Sequence, residues 1–252
     1  RNNFICIPAE VHFRPMQTHV KPIMKGPQTA VVTGPSGEEI YIDEHGRIKV
    51  QFMWDREGQN DENTTCFLRV VQSWAGNGWG TSFIPRIGHE VIVNFIDGDP
   101  DRPLVTGSVY NGANKPVYPS KTQSGIKTRS TRDGTTANFN ELRFEDKKGA
   151  EQIYIHAEMN MDTMVENDET LTVDKNRNKS IGENEGSTIG KNRDKSVGEN
   201  QTESIGKDKS IDVGDNHQET IGKDKTLDVG KNHTESIGEK MSISIGKDLE
   251  ES

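Results

Sequence analysis

From Ile153 to Leu249 every Ile, Leu and Val stands on an odd-numbered residue: Ile153, Ile155, Val165, Leu171, Val173, then a series repeating every eight positions. A period of two is the mark of an extended chain with one apolar side. Within it nine glycines sit eight apart: Gly182, Gly190, Gly198, Gly206, Gly214, Gly222, Gly230, Gly238 and Gly246. They follow Ile181, Ile189, Val197, Ile205, Val213, Ile221, Val229, Ile237 and Ile245. No helix has an eight-residue period. Eight is even, so all nine aliphatic residues of an extended chain share a face. Met164 breaks the parity.

A second period of sixteen lies inside the first. Ile211, Leu227 and Ile243 alternate with Glu203, Glu219 and Glu235 at one octad position. Residues 209–224 (KSIDVGDNHQETIGKD) therefore align on 225–240 (KTLDVGKNHTESIGEK). One Ile or Val per octad yields about 1.5–3 kcal/mol on burial, whereas ordering eight residues costs about 1–2 kcal/mol each. A lone chain cannot hold this shape by its own apolar burial. Three identical chains around an axis can, with three Ile/Val side chains at each level and backbone hydrogen bonds passing between chains. The glycines are expected to kink the strand, with φ > 0 available to them. Asn184, Asn192, Asn200, Asp208, Asn216, Asp224 and Asn232 follow two residues later and suit a turn. The competing geometry, a single-chain solenoid, calls for more apolar residues per coil. Lys207, Lys209, Lys223 and Lys225 interleave with Asp208, Asp224, Glu203 and Glu219 as a solvated outer face.

Upstream the pattern changes. Residues 1–27 hold Pro8, Pro15, Pro22 and Pro27 and read as an extended linker. Residues 28–112 carry five short β-rich runs, 29–32, 48–52, 67–71, 91–95 and 104–106, broken by Gly/Pro/Asp turns. Five such strands fit a small OB-fold barrel. Residues 113–150 read as a polar connector, and 151–252 as the octad β-helix. The fold class expected is all-β: an OB-fold barrel followed by an intertwined trimeric triple-stranded β-helix.

Composition sharpens this in one respect. The 252 residues are only 30% hydrophobic, with no aromatic after Tyr154 and no proline after Pro119. Composition alone would place the C-terminal part among disordered segments; a strict period argues against that. The net charge of −9 does not favour a phosphate backbone as partner. Cys6 and Cys66 read as two free thiols of a protein made in the cytosol. Neither a signal peptide nor an apolar run of membrane-spanning length is visible. The chain opens with Arg1 and ends within a repeat, and reads as part of a longer protein.

Several contiguous motifs carry a resemblance. They are Val32-Thr33-Gly34-Pro35, Ile40-Tyr41-Ile42-Asp43-Glu44-His45-Gly46-Arg47-Ile48-Lys49-Val50-Gln51-Phe52 and Trp54-Asp55-Arg56-Glu57-Gly58. Further along come Trp74-Ala75-Gly76-Asn77-Gly78-Trp79-Gly80, Phe83-Ile84-Pro85-Arg86-Ile87-Gly88, Gly98-Asp99-Pro100-Asp101-Arg102-Pro103, residues 121–130 and residues 140–146. From about residue 8 onward the chain resembles the VgrG family, the spike proteins of type VI secretion. The resemblance implies a homotrimer with OB-like domains above a triple-stranded β-helix, similar to the central spike of contractile phage tails. It implies a tail tube protein at the base, a PAAR-type tip protein and effectors as partners, and a target membrane pierced transiently. It also implies a cytoplasmic protein that leaves through the type VI system.

Other candidate chemistry is thin. His217 and His233 share an octad position and would form rings of three on a threefold axis, where a metal could sit; a solvent-facing turn residue is the plainer reading. Asp97, Asp99 and Asp101 hint at calcium but lack the EF-hand spacing, and a turn closed by Arg102 fits better. Gly198, Gly206 and Lys207 do not have phosphate-loop spacing. Trp54, Trp74 and Trp79 could stack bases in an OB groove, but without a basic groove they read as barrel packing or contact between protomers. No catalytic residue, cofactor or metal is assigned. The expected function is a membrane-puncturing spike that acts through stiffness, with the Ile181-to-Ile245 ladder as trimer core and the glycines as strand kinks. The alternative is an OB-fold module for nucleic acid or carbohydrate on a β-stalk.

Overall fold

The computed structural model describes residues 1–247; the parity expected at Leu249 and the end of the octads at Ser252 lie outside the described residues. The chain divides into two units, Arg1–Leu171 and Thr172–Ser252.

In the first unit, five strands form a barrel: β1 (Gln28–Thr33), β2 (Lys49–Phe52), β3 (Arg69–Val70), β4 (Glu90–Phe95) and β5 (Pro103–Val109). Their order is β2-β1-β4-β5-β3. β3 runs parallel to β5, while the other named pairs are antiparallel. Ile48 and Leu68 then exchange both backbone hydrogen bonds, at 3.0 and 2.7 Å, and join the β2 side to the β3 side. That link closes the ring and removes the free edges. Period-2 alternation drives the burial. Ala30, Val32, Ile48, Val50, Phe52, Leu68, Val91, Val93 and Val105 point inward and form the core. A bulge between Ile92 and Val93 shifts the register of β4 on β5.

Residues 1–27 are exposed almost throughout. They touch the barrel near its Asp-rich loop, where Met24 donates its N–H to the Gly98 carbonyl at 2.8 Å.

Within residues 113–150, read from composition as a connector, two strands form: β6 (Gln123–Lys127) and β7 (Glu141–Glu145). They pair with β8 (Gln152–His156) in the antiparallel order β6-β7-β8. Gly125 lies where β7 comes very close: a Cβ there would meet the Leu142 carbonyl oxygen at 2.2 Å, at φ of 152°. A loop from this segment reaches back to the barrel. Arg86 donates to the Arg129 carbonyl at 2.8 Å, and Arg132 pairs with Glu38 at 2.7 Å.

Beyond β8 the described backbone pairs with no strand of its own chain. It bends instead, at 158–159, 166–167, 174–175, 182–183 and at every eighth residue to 246–247. No described residue from 172 onward is buried.

Candidate functional site

The octads present a surface rather than a pocket. The ladder residues from Ile181 to Ile245 are each 40 to 49% exposed, and Val165 and Val173 fall in the same band. Ile211, Leu227 and Ile243, two positions ahead of a ladder residue, are 65 to 68% exposed. The chain's own bend thus shelters one aliphatic column partly and leaves the other open. Each level repeats the last, so one half-exposed aliphatic residue recurs at every octad on the same side of the chain.

Each of the nine glycines opens a two-residue bend, and none uses the left-handed φ available to it. The bend does not require it, since Glu158, Glu166 and Asp174 start bends at the same phase with ordinary backbone angles. A Cβ added at any of the nine would meet nothing within 4 Å in its own chain. The single chain makes no demand for glycine at these positions.

Charges brace the surface along its length. Glu203 accepts from Lys209 at 2.7 Å, Glu219 is paired with Lys225, and Lys179 with Glu185. All three pairs span six residues and start two positions ahead of a ladder residue. The lysine hydrogen bond, and then its charge, hold Glu185, Glu203 and Glu219 below the usual carboxylate range. Such exposed pairs contribute little and are screened by salt.

The remaining candidates separate. His217 and His233 are exposed. His217 adds a lesser favourable charge to Glu219. In the Asp-rich loop two of the three carboxylates are taken up by cations: Lys21 donates to Asp99 at 2.5 Å and Arg102 to Asp97 at 2.8 Å. The Lys21 hydrogen bond is the main reason Asp99 is held below its ordinary value. Among the described residues no three His, Cys, Asp or Glu side chains converge as a cation site. Gly198 and Gly206 open octad bends, with Lys207 in the bend after Gly206.

The tryptophans stay out of the barrel core, so packing inside the barrel does not account for them. Trp54 stacks on Phe52 with ring centres 5.1 Å apart. Trp74 and Trp79 meet edge to face at 4.8 Å on a short hairpin joined at Ala75 and Gly80. The Trp79 ring lies directly over Gly76, where a Cβ would come within 2.2 Å of it.

Two features escaped the pattern. The first is a charge cluster on the barrel: Glu39 faces Arg86 at 3.5 Å and Arg129 at 4.0 Å, and accepts from the Asp133 N–H at 3.2 Å. A hydrogen bond from Thr131, ahead of these groups, holds Glu39 below its usual range. Burial, helped by Arg86 and Arg129, pushes nearby His89 down. The second is an uncovered face of the β6-β7-β8 sheet. Register places Ile126, Leu142 and Ile155 in one row and Ser124, Phe144 and Ile153 in another row of the same face. Its five large apolar side chains are 37 to 68% exposed.

Comparison with known proteins follows the same division. Residues 38–110 match the type VI secretion system/phage-baseplate injector OB domain. Residues 124–237 and 189–252 match the bacteriophage T4 gp5 C-terminal trimerisation domain, and the two matches together span just over half of the chain. Similar relatives include three Pseudomonas aeruginosa proteins. The type VI secretion system spike protein VgrG1b is 58% identical over 179 residues, 70% of this chain and 24% of the relative. VgrG1a is 57% identical over 171 residues, 67% of this chain and 27% of the relative. VgrG5 is 49% identical over 184 residues, 72% of this chain and 23% of the relative. The chain spans about a quarter of the length of these curated relatives. With an injector-type OB barrel followed by a gp5-type trimerisation domain, the chain belongs to the VgrG family of type VI secretion spike proteins.

Proposed function

We propose that this chain forms the OB-barrel and shaft portion of a homotrimeric spike that punctures a target membrane at the tip of a contractile tail and delivers effectors. One observation carries the reading: an apolar stripe, repeated at every octad and only partly covered by its own chain, in a segment that matches a trimerisation domain. Three copies bring three stripes to the axis and satisfy the backbone groups that lack a partner strand. The glycine column leaves room for the neighbouring chains to approach. The ladder from Ile181 to Ile245 then carries assembly, and the role is mechanical, with no residue assigned to catalysis.

The relatives are named as type VI spike proteins. By that kinship the tube protein lies at the base, and a PAAR-type tip protein and effectors lie beyond the shaft. The protein waits in the cytoplasm and leaves when the system fires. No helix of the described residues is long and apolar enough to cross a membrane. The OB-module alternative is not favoured by these relatives.

Light scattering on a sizing column tests the reading. A mass about three times the 28.1 kDa of the chain is expected. A folded species at 28.1 kDa would overturn it.

A further inference from the structure

We propose that the apolar face of the β6-β7-β8 sheet packs against the same face of two further copies of this chain and fixes the register of the trimer. The proposal rests on the trimeric reading above and adds what the octads cannot supply. A repeating stripe is degenerate. Sliding one chain by eight residues again sets Ile or Val against Ile or Val at each level. Sliding by sixteen also restores Ile211, Leu227 and Ile243 to matching partners and Glu203, Glu219 and Glu235 to theirs. A slipped trimer forfeits only the contacts at its two ends, so the octads give length without a unique alignment. Some aperiodic element has to choose.

The β6-β7-β8 face has the needed properties. Its rows, Ile126-Leu142-Ile155 and Ser124-Phe144-Ile153, do not repeat elsewhere in the chain. It bears no charged side chain, which leaves nothing to recognise a charged partner. The opposite face is already occupied: Arg143 lies over the Tyr154 ring at 4.7 Å and Lys127 over the Phe139 ring at 3.6 Å. A second copy is the occupant because the face lies within the stretch of sequence that matches a trimerisation domain. The trimerisation-domain match begins at residue 124, within β6 and at the first residue of the face. Ile153 and Ile155 also keep the odd parity of the ladder that follows them in sequence. Three such faces meeting once give a single low-energy alignment, which the octads then extend.

The test uses the full chain with Cys6 and Cys66, both exposed, replaced by Ser. First, Ser124→Cys places a thiol on the face. In a protein of trimeric mass it should react with maleimide at least about ten-fold more slowly than Cys66 does in the parent, as expected of a site that opens only by local separation. Reaction at the Cys66 rate in a confirmed trimer would overturn the proposal and leave the spike reading intact. A monomeric parent would instead overturn the spike reading. Second, a nitroxide at Asn200→Cys reports alignment by dipolar distance. The parent should give one short distance. Leu142→Ser with Phe144→Ser should add longer ones, spaced by up to about 26 Å per octad of extended chain. The control, Lys207→Ser with Lys223→Ser at exposed positions off the ladder, should keep the single distance. A face variant that stays trimeric with one short distance would also overturn the proposal. If that variant fails to assemble, the thiol protection measured in the otherwise native protein decides.

Discussion

The barrel and the octads use the same residues under the same alternation, yet only one of them has an inside. In the barrel Val32, Val50, Val91, Val93 and Val105 are completely or almost completely buried, because each strand finds a neighbour in its own chain. In the octads Val197, Val213 and Val229 remain 40 to 46% exposed, because the chain bends every eight residues and never turns back to pair. Apolar periodicity therefore specifies a face, and the connections decide whether that face is covered from within or by other molecules. The barrel can close as a monomer. The octads express a structure that belongs to the assembly.

The sharpest way to break this contrast is to charge the stripe. Ile221→Asp or Val213→Asp places three carboxylates at one level of the trimer. Sedimentation or light scattering should then show loss of the trimer while the barrel stays folded; unchanged assembly in both variants would mean the ladder does not face inward. Next in size is the barrel core: Ile48→Ala should cost about 2–5 kcal/mol in denaturant unfolding of the barrel, without removing any side chain from the stripe. Removal of residues 209–224, one full repeat, should have a smaller effect. Every remaining contact keeps its type, so the trimer should persist with a shorter shaft in electron micrographs.

Acid should distinguish the regions more gently. Burial lowers the His89 pKa from its ordinary 6.5. The unfolded chain therefore binds the proton more readily, and this contribution is fully present above about pH 6.5 and lost as pH falls toward the folded value. His89→Gln should flatten that part of the barrel's stability profile. Smallest of all, Lys225→Ala should leave the trimer mass at physiological salt unchanged in light scattering, since its pair with Glu219 is exposed.

Much of this was legible in the residues. Runs such as Val91-Ile92-Val93-Asn94-Phe95 have clear alternation between turn signals, and they appear as strands within a residue or two. The octads advertise their own period. The β6 and β7 strands were hidden because each offers only one or two apolar residues, Ile126 and then Leu142 with Phe144, amid Ser, Thr, Gly and Asn. They pair with their neighbours in sequence, but the polar loop between them hides the hairpin. Glu39 was illegible for another reason: Arg86, Arg129 and Thr131 reach it from distant segments. The glycines open bends without using the left-handed φ available to them. Here Glu166 and Asp174 bend the chain equally well at that phase.

The uniform bend also has a genetic consequence. Because each octad is structurally equivalent to the next, in-frame recombination between its coding repeats would lengthen or shorten the shaft by whole units and leave no malformed junction. Reach could then be tuned by copy number, a kind of variation that comes readily to tandem DNA. A comparable insertion inside the closed barrel would disrupt its strand pairing.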